Sequence, residues 1–190
     1  MTKKLNILHL RVLSLFTGYS SQLFIREVAR KLGISSRTAL LALDDLERFG
    51  VLEAFPKGKL ILYDLKRTPV LENYLCLAET YKRTIFLDKH PRINSLISNL
   101  DADIIIIFGS YAKGLEKSGS DIDLFIIGDY DKKVVEDFEN TYNISVDIKK
   151  YNIGVLKSTD VLMREVIRNH VIISGTQRVV RQILSLKHQL

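Results

Sequence analysis

Apolar positions recur along this chain with two different periods, and the change of period marks where one kind of architecture gives way to another. Leu5, Ile7, Leu8, Leu10, Val12, Leu13, Leu15 and Phe16 crowd residues 5–17, which read as a buried helix broken at Gly18–Ser21. Ile25, Val28, Ala29 and Leu32 follow the i, i+3, i+4, i+7 spacing of a second helix. Gly33-Ile34-Ser35-Ser36 is a turn with a serine cap, and a third helix follows to about Phe49, with Ala39, Ala42, Leu43 and Leu46 inward. Val51–Phe55 and Leu60–Leu65 then read as two strands joined by Pro56-Lys57-Gly58-Lys59, a hairpin. Thr68-Pro69 opens a long helix to about Leu87, striped by Leu71, Tyr74, Leu75, Ala78, Tyr81 and Ile85, and His90-Pro91 stops it.

Beyond this point strands and helices mix. Ile93, Leu96, Ile97 and Leu100 make a short amphipathic helix, Ile104–Phe108 a fully apolar strand and Leu124–Ile127 another. Residues 131–142 read as a helix, and Asn143–Lys149 as a strand with Ile144, Val146 and Ile148 alternating with Ser145, Asp147 and Lys149. Residues 161–169, 171–174 and 177–186 read as helix, strand and helix. The pattern predicts an α+β chain: a helical module with a hairpin at residues 1–67, a linker helix at 68–91, and a mixed sheet with flanking helices at 92–190.

Charge sharpens the division. The 190 residues carry a net charge of +6. Residues 1–68 hold 12 Lys and Arg against 6 Asp and Glu, whereas residues 69–190 hold 16 of each. A basic module joined to a neutral one suggests a separate partner for each. The single cysteine, Cys76, excludes an internal disulfide and a cysteine zinc cluster, and reads as a small core residue. The four histidines match no metal or triad spacing. No apolar run approaches the roughly 18 residues of a membrane span, so a cytoplasmic location without a membrane partner is expected.

The candidate chemistry lies in FGSYAKGLEKSGSDIDLFII, residues 108–127. Gly109-Ser110 follows an apolar strand, where a small-residue turn offers backbone N–H groups to phosphate. Asp121 and Asp123 open the next apolar strand. Two positions apart, they share a face, with Cα atoms about 6.6 Å apart at about 3.3 Å of rise per residue. Such a pair suits hard cations bound through oxygen. Each fragment alone is common, as a turn or as a solvated strand end. Together, each attached to an apolar strand, they are far more specific, because carboxylates on a half-buried strand are costly unless paired.

An apolar residue, Gly-Ser, about ten residues, then Asp-x-Asp between apolar residues resembles the signature of the DNA polymerase β-type nucleotidyltransferase superfamily, in particular its minimal members. The resemblance spans roughly residues 92–186. It implies that Asp121, Asp123 and a third acid, Asp147, hold two Mg²⁺ ions against the triphosphate of ATP or another NTP. It also implies that Gly109 and Ser110 cradle the β- and γ-phosphates. The family's turn often carries Arg where this chain has Lys113, which meets phosphate as a point charge without bidentate geometry. The implied reaction moves an NMP, AMP foremost, to an acceptor hydroxyl on a protein, a nucleic-acid end or a small molecule. Minimal members of this kind can act as antitoxins that modify a HEPN-type toxin.

Three helices followed by a basic hairpin, with Arg26-Glu27-Val28-Ala29-Arg30-Lys31-Leu32-Gly33-Ile34-Ser35 between the second and third, resemble a winged helix-turn-helix domain over residues 5–65. By that resemblance Ser36, Arg37 and Thr38 start a recognition helix in the major groove of DNA, while Lys57 and Lys59 on the wing meet phosphate or the minor groove. Leu40 and Leu41 depart from it, since a base reader carries polar groups there, and Asp44 and Asp45 add negative charge nearby. Two functions therefore stay open: a nucleotidyltransferase with a DNA-binding appendage, and a DNA-binding regulator whose second module senses nucleotide or mediates assembly. Docking of the winged helix on a partner protein, or pairing with a second copy of the chain, also stays open.

Overall fold

A computed structural model describes residues 4–18, 22–151 and 161–186. Tyr19, Ser20 and Ser21 of the expected break lie outside the described residues. The chain divides into two compact units, Met1–Tyr81 and Lys82–Leu190. Among the described residues, no helix is long and apolar enough to cross a membrane.

The first unit holds α1 (Ile7–Leu13), β1 (Leu23–Phe24), α2 (Ile25–Leu32), α3 (Ser36–Arg48), β2 (Leu52–Lys57) and β3 (Leu60–Leu65), followed by the start of α4 (Leu71–Lys89). Local chemistry sets the helix starts. The Asn6 side chain accepts from the His9 backbone N–H at 3.1 Å, and the Ser35 hydroxyl from that of Thr38 at 3.0 Å. The Glu27 carboxylate accepts from the backbone N–H of Phe24 at 2.8 Å. Val12, Leu13, Val28, Ala39, Leu43 and Leu46 interlock in the core. The three strands run antiparallel in the order β1-β3-β2. Three helices and this sheet are the winged-helix arrangement the sequence suggested. The short β1 was not expected, because a two-residue strand has no periodicity to read and exists only through its pairing with Leu62 and Tyr63.

Two acids on α3 behave differently from expectation. Asp45 is buried, not displayed beside a DNA-facing surface: its carboxylate lies 3.4 Å from His9 Nε2 and 3.7 Å from Arg48 Nη1. Asp44 accepts a hydrogen bond from the Tyr63 hydroxyl at 3.1 Å. Burial, and then Asp44, push the Tyr63 phenol well above its usual range. Both acids therefore brace α3, Asp45 toward α1 and Asp44 toward β3. Leu41 is exposed, as its place in the pattern predicted.

The second unit holds the end of α4, then α5 (Pro91–Ile97), β4 (Ile104–Phe108), α6 (Gly109–Lys113), β5 (Ile122–Ile127), α7 (Lys132–Tyr142), β6 (Val146–Tyr151), α8 (Val161–Arg168), β7 (Val171–Ser174) and α9 (Thr176–Leu186). In this part of α4 it is Phe86 that is buried, while Ile85 of the expected stripe is exposed. The sheet runs β6-β5-β4-β7, with β4 antiparallel to both β5 and β7, and β5 parallel to β6. Ile105, Ile107, Leu124 and Ile126 pack with Leu96, Val135 and Phe138 from α5 and α7. Ile104, Ile106 and Phe125 face Met163, Val166 and Ile183 from α8 and α9. Both faces of β4 and β5 are covered, which explains why these strands read as unbroken apolar runs. Edge strand β6 is covered on one face only and alternates, with Asp147 on the polar side.

Removing the buried carboxylate in Asp45→Ala strands the His9 ring and is expected to cost about 1–3 kcal/mol of stability. Urea unfolding monitored by circular dichroism reads the loss.

Candidate active site

Strand register assembles the site. β4 ends at Phe108, whose partner on β5 is Asp123, and the partner of Asp123 on β6 is Asp147. The start of α6 and two of the three expected acids therefore stand side by side across adjacent strands. The backbone N–H of Ile122 donates to Ser145 O at 2.9 Å, which fixes β6 against β5 next to the acids. Asp121 lies just before β5 and is exposed, Asp123 is half-buried and Asp147 is exposed.

Gly109 turns the chain from β4 into α6 at φ +67°. A Cβ there would overlap Asp123 Oδ2 and lie 2.7 Å from its Cγ. The carboxylate thus occupies the space a side chain would take. Glycine is required both for the left-handed backbone and for this approach. Ser110 is half-buried in the first turn of α6. The loop after α6 is held by Glu116, which accepts from Lys89 Nζ at 2.8 Å, and by the Lys117 backbone N–H donating to the Ser120 hydroxyl at 2.9 Å.

Each expected or neighbouring lysine is engaged. Lys113 Nζ donates to Glu165 of α8 at 2.7 Å. Lys149 Nζ lies 3.0 Å and 2.9 Å from the two carboxylate oxygens of Asp147. Burial pushes the Asp123 carboxyl above the ordinary range, and the charges of Asp147, Asp121 and Glu165 push it further. Burial likewise raises the Tyr111 phenol, with the charges of Glu116 and Asp121 adding to it.

Sequence reasoning did not single out Glu165 or Lys149. Lys149 had a signal, being two residues from Asp147 on the same strand face. Glu165 had none, since it is one polar residue among several on an amphipathic helix.

The donor set is all oxygen, as Mg²⁺ prefers, and that ion is commonly held by one or two carboxylates completed by substrate phosphates and water. The mutual repulsion around Asp123 is what a divalent cation would relieve. Among the described residues, no group of three or more His, Cys, Asp or Glu is gathered tightly enough to hold an ion by itself. The Asp121–Asp123 pair fits such an ion, and Asp147 stands beside it engaged with Lys149.

In the first unit, Ser36 and Arg37 are exposed at the start of α3, whereas the Thr38 hydroxyl lies 2.8 Å from that of Ser35 within the helix cap. Lys57 and Lys59 are exposed at the hairpin tip. Arg37, Lys57 and Lys59 have no ion-pair partner among the described residues.

A family model described as polymerase beta, nucleotidyltransferase, matches residues 92–178. This part of the chain is similar to a polymerase beta-type nucleotidyltransferase domain. The match takes in the Gly109-Ser110 turn and all three acids, and it supports a transferase. No curated protein matches the chain. Three solved structures resemble it distantly. The adhesin competence repressor AdcR from Streptococcus pyogenes is 18% identical, with a TM-score of 0.39, over 47% of this chain and 66% of its own. A toxin–antitoxin with AMP-PNP is 19% identical, with a TM-score of 0.36, over 52% and 86%. A mutant of the toxin–antitoxin MntA-HpeT is 16% identical, with a TM-score of 0.33, over 55% and 87%. The chain thus spans just under two thirds of the repressor's length.

The raised carboxyl of Asp123 has a consequence for stability. A carboxyl whose pKa rises on folding makes its charged form unfavourable to the fold above that pKa, and the penalty vanishes once it is protonated. Asp123→Asn is therefore expected to melt above wild type near neutral pH. The gap should close as pH falls through the ordinary carboxylate range. Melting curves across that range, without divalent metal, check the sign.

Proposed function

We propose that the chain is a Mg²⁺-dependent nucleotidyltransferase that moves AMP from ATP to an acceptor hydroxyl. The observation that carries this reading is the register Phe108–Asp123–Asp147, with the Asp123 carboxylate packed against Gly109. It brings the phosphate-cradling turn and the acids to one corner of the sheet. In this reading Asp121 and Asp123 hold one ion, and Asp147, released from Lys149, shares a second. The ions supply charge neutralisation for the triphosphate and lower the pKa of the acceptor hydroxyl. The backbone N–H groups of Gly109 and Ser110 and the Ser110 hydroxyl orient the β- and γ-phosphates, so the pyrophosphate being displaced lies along the start of α6. Lys113, once released from Glu165, offers an ammonium to the same phosphates. The acceptor oxygen bonds to the α-phosphorus, the bond from that phosphorus to the bridging oxygen breaks, and pyrophosphate leaves. The acceptor proton passes toward the Asp147 carboxylate.

The acceptor in this reading is a hydroxyl on a partner protein, with a HEPN-type toxin as the first candidate. Incubation with ATP labelled in the α-phosphate and such a toxin is expected to label the toxin. Asp121→Asn and Gly109→Ala should each lower the rate by at least about 10²-fold, the scale of losing preorganised electrostatic stabilisation. Equal labelling by wild type and both variants would sink the proposed site.

The first unit carries a second element of the proposal: it binds duplex DNA through Arg37, Lys57 and Lys59. Their lack of ion-pair partners among the described residues supports this, since such cations release counterions when they meet phosphate. Lys57→Ala/Lys59→Ala is expected to reduce the slope of log affinity against log salt by about 2, near 0.9 per phosphate contact. Titration of a labelled duplex over a salt series checks it, and an unaltered slope would remove the wing from the interface.

A further inference from the structure

The wing is unusual for a phosphate-contacting hairpin, because its tip is apolar. Leu60 is 53% exposed, Ile61 44% and Phe55 42%. Pairing of Lys57 with Leu60 and Pro56 with Ile61 places these residues at the very end of the β2–β3 ladder, closed by Gly58-Lys59. Gly58 takes φ +63°, the left-handed value a two-residue turn demands. Leu60 and Ile61 are adjacent, so they project to opposite faces of the hairpin. No acid occurs between Ala54 and Tyr63, while Lys57 and Lys59 flank the tip.

Resting on the DNA-binding reading above, we propose that the wing enters the minor groove of duplex DNA as an apolar wedge. Leu60, beside the turn, prises open a base step while Ile61, on the opposite face, lies along the groove wall and Lys57 and Lys59 hold the flanking phosphates. Apolar side chains inserted from the minor groove partly unstack a step and kink the duplex toward the major groove. The dimensions fit. Only side chains at the turn need to enter the minor groove, about 6 Å wide, and that groove opens as the duplex kinks toward the major groove. A protein partner fits less well, because a two-stranded tip offers far less than the roughly 800 Å² per partner of a stable interface. The recognition helix agrees with this mode. The turn after Ser36 and Arg37 carries Leu40 and Leu41, the latter 49% exposed, which hydrogen-bond to no base edge. Preference among sequences then comes from deformability: steps that unstack easily, such as TA and CA/TG, bind in favour of stiff A-tracts.

The test uses the full chain and two duplexes of about 30 base pairs, one with central TA and CA/TG steps and one an A-tract, each carrying a dye at both ends. Wild type is expected to raise energy transfer between the ends of the flexible duplex and to bind it roughly tenfold tighter than the A-tract, a difference in deformation energy of about 1.4 kcal/mol. Leu60→Ser/Ile61→Ser should lose both the bend and the preference while keeping the salt dependence. The two residues are exposed, and circular dichroism confirms that the variant folds. Salt-dependent binding without a bend overturns the wedge and leaves DNA binding intact. A bend or preference that survives in Leu60→Ser/Ile61→Ser overturns the wedge as well. Failure of both duplexes to bind overturns DNA binding itself and leaves the apolar tip to a protein.

Discussion

The packing of the Asp123 carboxylate against the α-carbon of Gly109 is the constraint on which the second unit's chemistry depends. One residue must be glycine so that the other can be an acid at that place. Their closeness is inherited from the core. β4 and β5 are buried on both faces, and a slip of one residue in their pairing would turn every isoleucine, leucine and phenylalanine of the ladder to the opposite face. The parallel pairing of β6 on β5 extends the same register to Asp147. Hydrophobic burial, which is non-directional, is thus converted into a positional demand on polar groups by the fixed repeat of the strands.

Electrostatics explains why the arrangement holds together. Burial raises the carboxyl of Asp123, and the charges of Asp147, Asp121 and Glu165 add to it. The exposed members are screened by water and by lysines, Asp147 by Lys149 and Glu165 by Lys113. Such exposed pairs contribute little to stability, typically under about 1 kcal/mol each. A cation of higher charge would displace them at small cost. The half-buried carboxylate beside the glycine is the fixed point, and the paired acids at the rim are the adjustable ones.

Legibility in the sequence followed the range of the interactions. β4 was visible to the residue because both its faces are covered, and α2, α3 and α7 because their apolar stripes are unbroken. The spacing from Gly109-Ser110 to Asp121-x-Asp123 carried the site because turn and acids lie on adjacent strands and so stay close in sequence. Glu165 was invisible: it reaches Lys113 from a helix more than fifty residues away, and nothing local distinguishes it from a solvated glutamate. Asp45 was misread for the same reason. Its environment is set by His9, on another helix, whereas its neighbours in sequence suggest an exposed acidic pair. β1 escaped because a two-residue strand has no pattern of its own.

The two units also differ in how they dispose of charge. In the second, Lys89, Lys113, Lys149, Lys150 and Arg178 each meet a carboxylate, so a balanced composition is matched by local pairing. In the first, two of the six acids of residues 1–68 brace α3, Asp45 beneath it and Asp44 through Tyr63. Among the described residues, Arg37, Lys57 and Lys59 are left without ion-pair partners. Residues 1–68 carry the whole net charge of +6, and its exposed members include Arg37 at one helix start and Lys57 and Lys59 at one hairpin tip. Acids that turn inward leave the neighbouring surface more positive, a field to which an external anion is drawn.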